Sequence, residues 1–180
     1  MNSLKKLLLI AASLVLAVTA PAQSVNALST EEKASLDANW KIVVDYSDVV
    51  GTSGSSASNL NVPIFPPVGQ FASNQIVTGV IVRIDTPFYS TGDTNLNGFL
   101  TMSLGDVASA TRFMGALAVA SNNAVDVFVT NANYRYITGS NLIARFSATG
   151  AAGATGGALN NLTNGQATIF LKTVNLDSLR

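Results

Sequence analysis

The chain has 180 residues with ten basic and ten acidic side chains, and it contains neither His nor Cys. The absence of imidazole and thiol groups excludes Ser-His and Cys-His nucleophilic catalysis, imidazole proton transfer and the usual zinc sites. Charged residues make up 11% of the chain, against about a quarter in a typical soluble domain, so a basic face for nucleic acid is not expected. The composition predicts a non-enzymatic protein without a nucleic-acid partner, whose neutral surface is covered by other subunits.

Residues 1–22 have the pattern of a signal peptide or of a hydrophobic N-terminal arm. Two lysines precede an apolar run from Leu7 to Val18, and Ala20-Pro21-Ala22 offers the small residues that signal peptidase accepts. The run is shorter than the roughly 20 residues that cross a bilayer, so no permanent membrane span is expected. A cleaved chain would be extracytoplasmic, either secreted or on a cell or virion surface. A retained arm would belong to the assembly.

Residues 23–39 are predicted to hold a short helix and a linker. Ser29 and Glu32 stand three positions apart, as the partners of a capping box do, and the sequence favours a helix from about Thr30 to Ala38. The hydrophobic period changes to two at Trp40, so the next unit is predicted to begin there.

Residues 40–180 form the predicted main domain, which is all-β. Apolar and polar residues alternate in short runs, and turn residues recur about every 8–12 positions. That spacing is typical of an antiparallel β-sandwich, and we expect a jelly-roll-like order of strands. The predicted strands are 41–49, 60–65, 75–85, 99–104, 112–120, 125–130, 134–138, 142–148 and 167–174.

For two of these strands the sequence also predicts which residues share a face or where the strand lies in its sheet. In the strand 75–85, Ile76 is expected to share a face with Val80, and Val77 to lie on the opposite face. Pro63 has no N–H to donate to a neighbouring strand, so residues 60–65 are predicted to be an edge strand or an extended segment.

Residues 150–165 consist almost wholly of Gly, Ala, Thr and Asn. Such small side chains cannot offset the entropy of ordering by packing, so we expect a mobile hairpin loop or a loop ordered only against a neighbouring subunit. Asn161-Leu162-Thr163 is a glycosylation sequon, which matters only in a host that modifies it.

Residues 93–98, Asp-Thr-Asn-Leu-Asn-Gly, match the first half of a calcium-binding loop. Asp93, Asn95 and Asn97 place oxygen donors at alternate positions before the Gly that allows a sharp bend. The second half departs from the pattern, because Leu104 stands where a bidentate Glu is required. These three residues are the calcium candidate, and a plain Asn/Gly hairpin turn is the alternative. No other cofactor is predicted.

Asp45 and Asp48 invite comparison with the carboxylate pair of a glycoside hydrolase. Such a pair needs two carboxyl groups about 5–9 Å apart across a cleft. Residues three positions apart in a strand point to opposite faces, so we expect these two not to share a site.

Tyr134 and Tyr136 are the candidate ligand residues for a glycan. They stand two positions apart and therefore share one face of a strand, with Arg135 on the other face. Aromatic rings on an open face can stack against sugars. Burial in the core with ordinary cross-strand pairing is the alternative.

Four segments are distinctive when taken together. They are Ile76-Val77-Thr78-Gly79-Val80 running to Thr86-Pro87-Phe88, then Ser103-Leu104-Gly105-Asp106 with Arg112-Phe113-Met114, then Tyr134-Arg135-Tyr136 leading to 142–146, and Leu162-Thr163-Asn164-Gly165. Together they resemble small β-sandwich virion structural proteins of tailed phages, of the head-decoration, cement or fibre type. The resemblance covers about residues 75–174 and implies a subunit without chemistry, surrounded by copies of itself and by other structural proteins of a capsid.

Two functions remain open at the level of the sequence. The first is a structural protein that self-assembles or decorates a larger assembly, either a phage virion or an extracellular surface layer or filament. The alternative is a secreted carbohydrate-binding module, supported by calcium, with a glycan as its partner.

Overall fold

In its described residues the structure, a computed structural model, has nine β-strands joined by short helical segments and turns. The described residues are 24–27, 29–30, 38–52, 58–65, 74–120, 127–136, 140–149 and 157–179. The predicted signal or arm, residues 1–22, lies outside them, as do residues 31–37 of the predicted helix.

Most of the elements are strands. The strands are β1 (Ser24–Ala27), β2 (Trp40–Asp45), β3 (Asn59–Phe65), β4 (Gln75–Tyr89), β5 (Thr101–Asp106), β6 (Met114–Ala118), β7 (Val127–Tyr136), β8 (Leu142–Ser147) and β9 (Asn164–Asn175). The helices are α1 (Tyr46–Thr52) and α2 (Thr94–Phe99), and 3₁₀ turns cover Leu159–Asn161 and Leu176–Leu179. Within the described part of the chain, no helix has the length and apolar character needed to cross a membrane.

The strands pair in a nested order. β5 pairs with β6, β4 with β7, β3 with β8 and β2 with β9. Each strand before the β5–β6 turn thus pairs with the strand that lies equally far after it in the order of strands. Pairings of β4 with β9 and of β5 with β8 join these pairs into two sheets. One sheet has the order β1-β2-β9-β4-β7 and the other the order β3-β8-β5-β6. All pairs are antiparallel, which confirms the predicted all-β class.

The two sheets share one hydrophobic core. The largest fully buried side chains are Phe88, Phe146, Ile42, Ile64, Leu96, Leu100, Met102, Leu104, Met114, Leu142 and Leu159. The rings of Phe88 on β4 and Phe146 on β8 connect the sheets, with their centroids 5.1 Å apart. Each fully buried side chain of this size stabilises the fold by about 1.5–3 kcal/mol relative to an exposed one.

The faces of β4 differ from the sequence-based expectation. Val77 is fully buried, as Val80 is, whereas Ile76 is only half-buried. The register between β4 and β9 shifts between Val77 and Gly79, where β4 holds one extra residue. Such a bulge reverses the alternation of inner and outer positions. The prediction that Ile76 shares the face of Val80 is therefore wrong.

β2 ends earlier than predicted because a helix begins there. The expected strand 41–49 stops at Asp45, and α1 follows directly. Asp48 Oδ2 accepts a hydrogen bond from the backbone N–H of Asp45 at 2.9 Å, which is the acidic half of a capping box. Val49 is fully buried and anchors α1 over the core.

The predicted strands 125–130 and 134–138 are one strand, β7. Between the pairs Val77–Tyr134 and Gly79–Asn131, β7 holds one residue more than β4. This irregularity absorbs the Asn-Ala-Asn stretch that resembles a turn in the sequence.

The second half of the low-complexity segment packs into the core. Leu159 is fully buried, and Leu162 is 4% exposed. Gly157 lies so close to α2 that a Cβ at this position would be 2.7 Å from Leu96 Cγ. The expectation that this segment cannot pack is wrong for residues 157–163, while residues 150–156 lie outside the described residues.

We predict that Gly165→Ala destabilises the protein by roughly 2–4 kcal/mol, because strain and overpacking combine there. Gly165 has a φ of +139°, and an added Cβ would be 2.2 Å from Cδ1 of Phe88. Gly98→Ala is the control, since a Cβ there meets nothing within 4 Å. Removing a Gly from a helix stabilises by roughly 0.5–1 kcal/mol. Urea unfolding measures both variants, and equal free energies of unfolding would contradict this packing.

Candidate functional site

A buried carboxylate closes the turn between β5 and β6. Asp106, the last residue of β5, is 2% exposed, and its Oδ1 accepts hydrogen bonds from the backbone N–H groups of Ala108 and Ser109 at 3.0 and 2.8 Å. Arg112, at the other end of the turn, donates from Nε to Asp106 Oδ2 at 2.6 Å. The turn packs tightly on β5, because a Cβ on Gly105 would lie 2.0 Å from the carbonyl oxygen of Ser109. One carboxylate thus fixes the conformation of the whole turn.

The same carboxylate binds the opposite sheet. The hydroxyl of Tyr136, on β7, donates to Asp106 Oδ2 at 3.1 Å. The guanidinium of Arg112 lies over the ring of Tyr134, 3.9 Å from its centroid. The rings of Tyr134 and Tyr136 meet edge to face at 5.0 Å, and Phe113 packs against Tyr134 at 6.3 Å. We call these five residues, Asp106, Arg112, Phe113, Tyr134 and Tyr136, the Asp106 cluster.

Charge and hydrogen bonds set the ionisation of the Asp106 cluster. Burial acts to raise the pKa of Asp106, but hydrogen bonds from Arg112, from the backbone of Ser109 and from Tyr136 outweigh it, so the pKa lies below its ordinary value. Burial, followed by the Asp106 charge, raises the pKa of Tyr136. The carboxylate is therefore ionised and the phenol protonated at neutral pH, which is the pairing that stabilises both groups.

The contacts of the Asp106 cluster determine whether the rings of Tyr134 and Tyr136 are open to a glycan. Tyr136 is 4% exposed, and its hydroxyl already donates to Asp106. Tyr134 is half-buried, and the Arg112 guanidinium lies over its ring. The structure places both tyrosines on one strand, as predicted, but does not present them as an open pair of rings. Glycan binding by Tyr134 and Tyr136 stays a prediction that this geometry disfavours.

The predicted calcium residues belong to the start of α2. Asp93 is its N-cap, and Oδ1 accepts from the backbone N–H groups of Asn95 and Leu96. Asp93 Oδ2 accepts from the backbone N–H of Ala158 at 3.3 Å and from Nδ2 of Asn161 at 3.1 Å. These hydrogen bonds together lower the pKa of Asp93, against an opposing effect of burial. Asp93 therefore binds α2 to the segment that carries Leu159 and Leu162.

The other two calcium candidates differ in their surroundings. Asn97 is bound to Ser90, accepting from its backbone N–H at 2.8 Å and donating to its carbonyl oxygen at 2.9 Å. Asn95 is exposed. Neither the predicted loop nor the alternative hairpin turn forms, because residues 94–99 are helical. Among the described residues, no three His, Cys, Asp or Glu side chains cluster as metal ligands do.

Asp45 and Asp48 lie closer together than the strand pattern implies. Burial raises the pKa of Asp48, the N–H of Asp45 opposes this, and the charge of Asp45 adds to the increase. Asp45 Oδ1 accepts from Nε2 of Gln166 at 3.1 Å. The reason given from the sequence, that both residues lie in one strand, is wrong, because Asp48 belongs to α1 and points back to the N-cap. That the two carboxylates do not share a site stays a prediction.

A shallow, open cleft lies beside α2. It is lined by Ser90, Thr91, Gly92, Asn160, Asn161, Leu162 and Thr163. This lining offers hydroxyl and amide groups and no ionisable side chain. It therefore lacks the acid and base groups that hydrolysis requires.

The free edges of the two sheets form the remaining candidate surface. β1 and β7 bound the larger sheet, and β3 and β6 bound the smaller one. The edge of β3 carries Pro63, as the sequence predicts, and a proline protects an edge against further pairing. β7 pairs with β4 alone among the described strands, runs for ten residues without proline, and carries Arg135 as its single charge. Of the described edge strands, β7 is therefore the longest, and it has no proline.

The comparisons with known proteins give one distant likeness. No family model matches the chain, and no curated protein does. Among solved structures, the chain is similar to a chain of the capsid asymmetric unit of cyanophage Pam1, with 17% sequence identity and a TM-score of 0.42 over 84% of each chain. A likeness at this level assigns no function to the chain.

Sequence reasoning missed the roles of Asp106 and Arg112. Their signal is an Asp at the end of an apolar strand, with a Ser three positions on and an Arg six positions on. That pattern is typical of an Asx turn closed by an ion pair. The tyrosine hydroxyl from the opposite sheet has no signal in the sequence, because it depends on the pairing of β7.

We predict that Asp106→Asn destabilises the protein by about 3 kcal/mol at neutral pH, since it leaves the Arg112 charge without its partner. Tyr136→Phe removes one hydrogen bond and should cost about 1 kcal/mol. The pKa of Asp106 in the folded protein lies below 3.8, its value in the unfolded chain. The carboxylate therefore contributes its full stabilisation above pH 3.8, and this stabilisation is lost as the pH falls through the pKa of the folded protein. Urea unfolding across acid pH should therefore show a shallower pH dependence for Asp106→Asn. An unchanged dependence would contradict the assignment.

We predict that Asp93→Ala lowers the free energy of unfolding by roughly 1–2 kcal/mol, the cost of losing an N-cap. The loss should be the same in millimolar calcium and in chelator, because both carboxylate oxygens already accept N–H groups of the chain. Thermal melts of both proteins in both conditions measure this. A calcium-dependent rise in the melting temperature of the unsubstituted protein, absent in Asp93→Ala, would instead establish the calcium site.

Proposed function

We propose that this protein is a non-enzymatic structural subunit that assembles with copies of itself through a jelly-roll β-sandwich. The assembly is a virus particle, in which the protein is a capsid decoration, cement or fibre subunit, or an extracellular surface layer or filament. The nested strand pairing carries this proposal. Eight strands pair 2–9, 3–8, 4–7 and 5–6 and divide between two antiparallel sheets, which supports a jelly roll because that fold has eight strands in two such sheets.

Jelly rolls serve as capsid domains, as lectins and as small-molecule enzymes, and the residues of this chain favour the first class. The whole sequence has no His and no Cys, which removes the commonest ligands and nucleophiles of enzymes. Its tyrosine pair is held by Arg112 and Asp106, which disfavours a lectin with Tyr134 and Tyr136 as its platform. Assembly needs none of these groups.

The surface supports a role in contact with neighbours. Charged residues make up 11% of the chain, so few charges have to be desolvated when subunits meet. The β7 edge presents backbone groups that another strand can pair with. A chain with this edge and few charges is suited to pack against partners.

The location that we propose is extracytoplasmic, on a virion or cell surface. Signal cleavage after Ala22 would leave β1, which begins at Ser24, whole. An exported chain would therefore keep all of the described fold.

We expect sedimentation velocity to show the purified protein associating as its concentration rises, with ordered particles visible by electron microscopy. Molar salt should not reverse the association, because ionic contacts are few. A single monomeric species at every concentration, with no affinity for capsids or cell surfaces, would overturn the proposal. Glycan binding by such a monomer would support the carbohydrate-binding alternative instead.

A matched pair of variants tests the contribution of the free edge. Asn133, on β7, and Asn61, on β3, are both exposed edge residues. Asn133→Lys should weaken association by about tenfold, since a charge on an edge opposes further pairing. Asn61→Lys lies on the edge that Pro63 already protects and should have little effect. Equal effects of the two substitutions would show that the β7 edge has no special role.

A further inference from the structure

The first strand has few ties to the rest of the molecule. β1 pairs with β2 alone among the described strands, from Ser24 opposite Val43 to Ala27 opposite Trp40. Its three described side chains, Ser24, Asn26 and Ala27, are exposed. The amide of Asn26 donates to Ser24 Oγ at 2.8 Å, which is a contact within β1. Among the contacts of its described residues, the backbone pairing with β2 is the one that ties β1 to the rest of the molecule.

The chain between β1 and β2 does not force that pairing to occur within one molecule. Twelve residues, 28–39, separate the two strands, whereas a tight hairpin needs about two to five. The last two are fixed to the body. Ala38 packs against Phe170, and Asn39 exchanges side-chain hydrogen bonds with the backbone of Thr173 at 2.8 Å in both directions.

The ten residues 28–37 are long enough to reach a neighbouring molecule. They span about 15 Å as a helix and about 33 Å as an extended chain. Either length exceeds the spacing of about 4.8 Å between paired strands. A neighbouring molecule whose β2 edge lies within the span of residues 28–37 could therefore accept β1.

We propose that β1 is an exchanged arm, which pairs with β2 of a second copy of this chain in the assembled state. The contacts of β1 with β2 are the same within one molecule and between two, so the exchange loses no pairing. Between molecules, each exchanged strand adds a covalent link through residues 28–39, and the pairing is favoured by the high local concentration of neighbours in an assembly. This inference rests on the proposed function and names the contact by which the subunits join.

The pairing register and the absence of cysteine allow a direct test. Ser24 and Val43 are opposite each other, and Cα atoms of directly opposed strand residues lie about 4.5–5.5 Å apart, within the range of a disulfide. The whole chain has no Cys of its own, so introduced thiols are the only ones present. Two proteins are prepared as full chains, one with Ser24→Cys and the other with Val43→Cys. They are mixed under assembling conditions and oxidised mildly.

We expect peptide mapping of the mixture to find a cross-link between position 24 of one chain and position 43 of the other. Its yield should exceed by about tenfold that of a control mixture of Ser24→Cys with Asn61→Cys, because collision alone supplies no effective concentration. Asn61 is exposed on β3, at an edge of the other sheet, and so reports random encounter.

The double variant Ser24→Cys/Val43→Cys, oxidised as a dilute monomer, is the positive control and should close within one chain. If it closes while the assembled mixture gives no more cross-link than the Asn61 control, β1 is not exchanged and the inference fails. If it does not close, the β1–β2 pairing on which the inference depends is absent, and the inference also fails. Sedimentation of the same mixture separates the two proposals. Assembly without the cross-link refutes only the exchange, whereas a monomer at every concentration refutes the proposed function as well.

Discussion

The Asp106 carboxylate ties the two sheets together at one end of the molecule, and much of the fold depends on it. It fixes the β5–β6 turn through the backbone of Ala108 and Ser109 and neutralises Arg112. It also accepts the hydroxyl of Tyr136 from the other sheet. The β5–β6 turn is the innermost connection of the nested pairing, and the carboxylate that holds this turn also binds β7 of the other sheet. A buried charge is costly unless each of its lone pairs is used, and here they are.

The opposite end is held by packing together with a second carboxylate, that of Asp93. Phe88 meets Phe146 across the core, and Gly165 allows β9 to pass close to the Phe88 ring. Asp93 binds the start of α2 to the segment that carries Leu159, so the loops at this end are joined to one another. With both ends fixed, the strand edges are among the surfaces of the described molecule that can meet a partner. This division suits a protein whose role is contact.

The sequence predicted the fold class and most strands, because alternation along a strand reports directly which face is buried. In β8, alternation predicts Leu142 and Phe146 inward and Ile143 and Arg145 outward; Leu142, Phe146 and Arg145 agree with this, whereas Ile143 is buried. The pattern fails where a local event changes the period. The bulge near Gly79 reverses the faces of β4, and the cap formed by Asp48 ends β2 early. The bulge has no distinctive sequence, since it depends on the pairing of β4 with β9. The cap is local, and its signal is the spacing of three positions between Asp45 and Asp48.

The candidate sites were harder to predict, because their chemistry depends on residues far apart in the chain. Asp93 and Asn97 carry calcium-type oxygens, yet both are used by backbone groups of Ser90 and of residues 157–163. Tyr134 and Tyr136 share a strand face as expected, but what covers that face comes from the β5–β6 turn. Spacing along one strand cannot reveal a partner that arrives from another sheet. The edge strand β1 was missed for the same reason. Its four residues do not alternate, so only their pairing with β2 identifies them as a strand.

The nested pairing has a consequence for how the polypeptide is made. β9, the last strand, lies between β2 and β4 in the larger sheet, and Asp45 and Gln166 meet although they are 121 positions apart. That sheet cannot close until β9 has left the ribosome, and such distant contacts slow folding. During synthesis β2 and β4 therefore wait, without the strand that joins them, while the 74 residues between β4 and β9 are made.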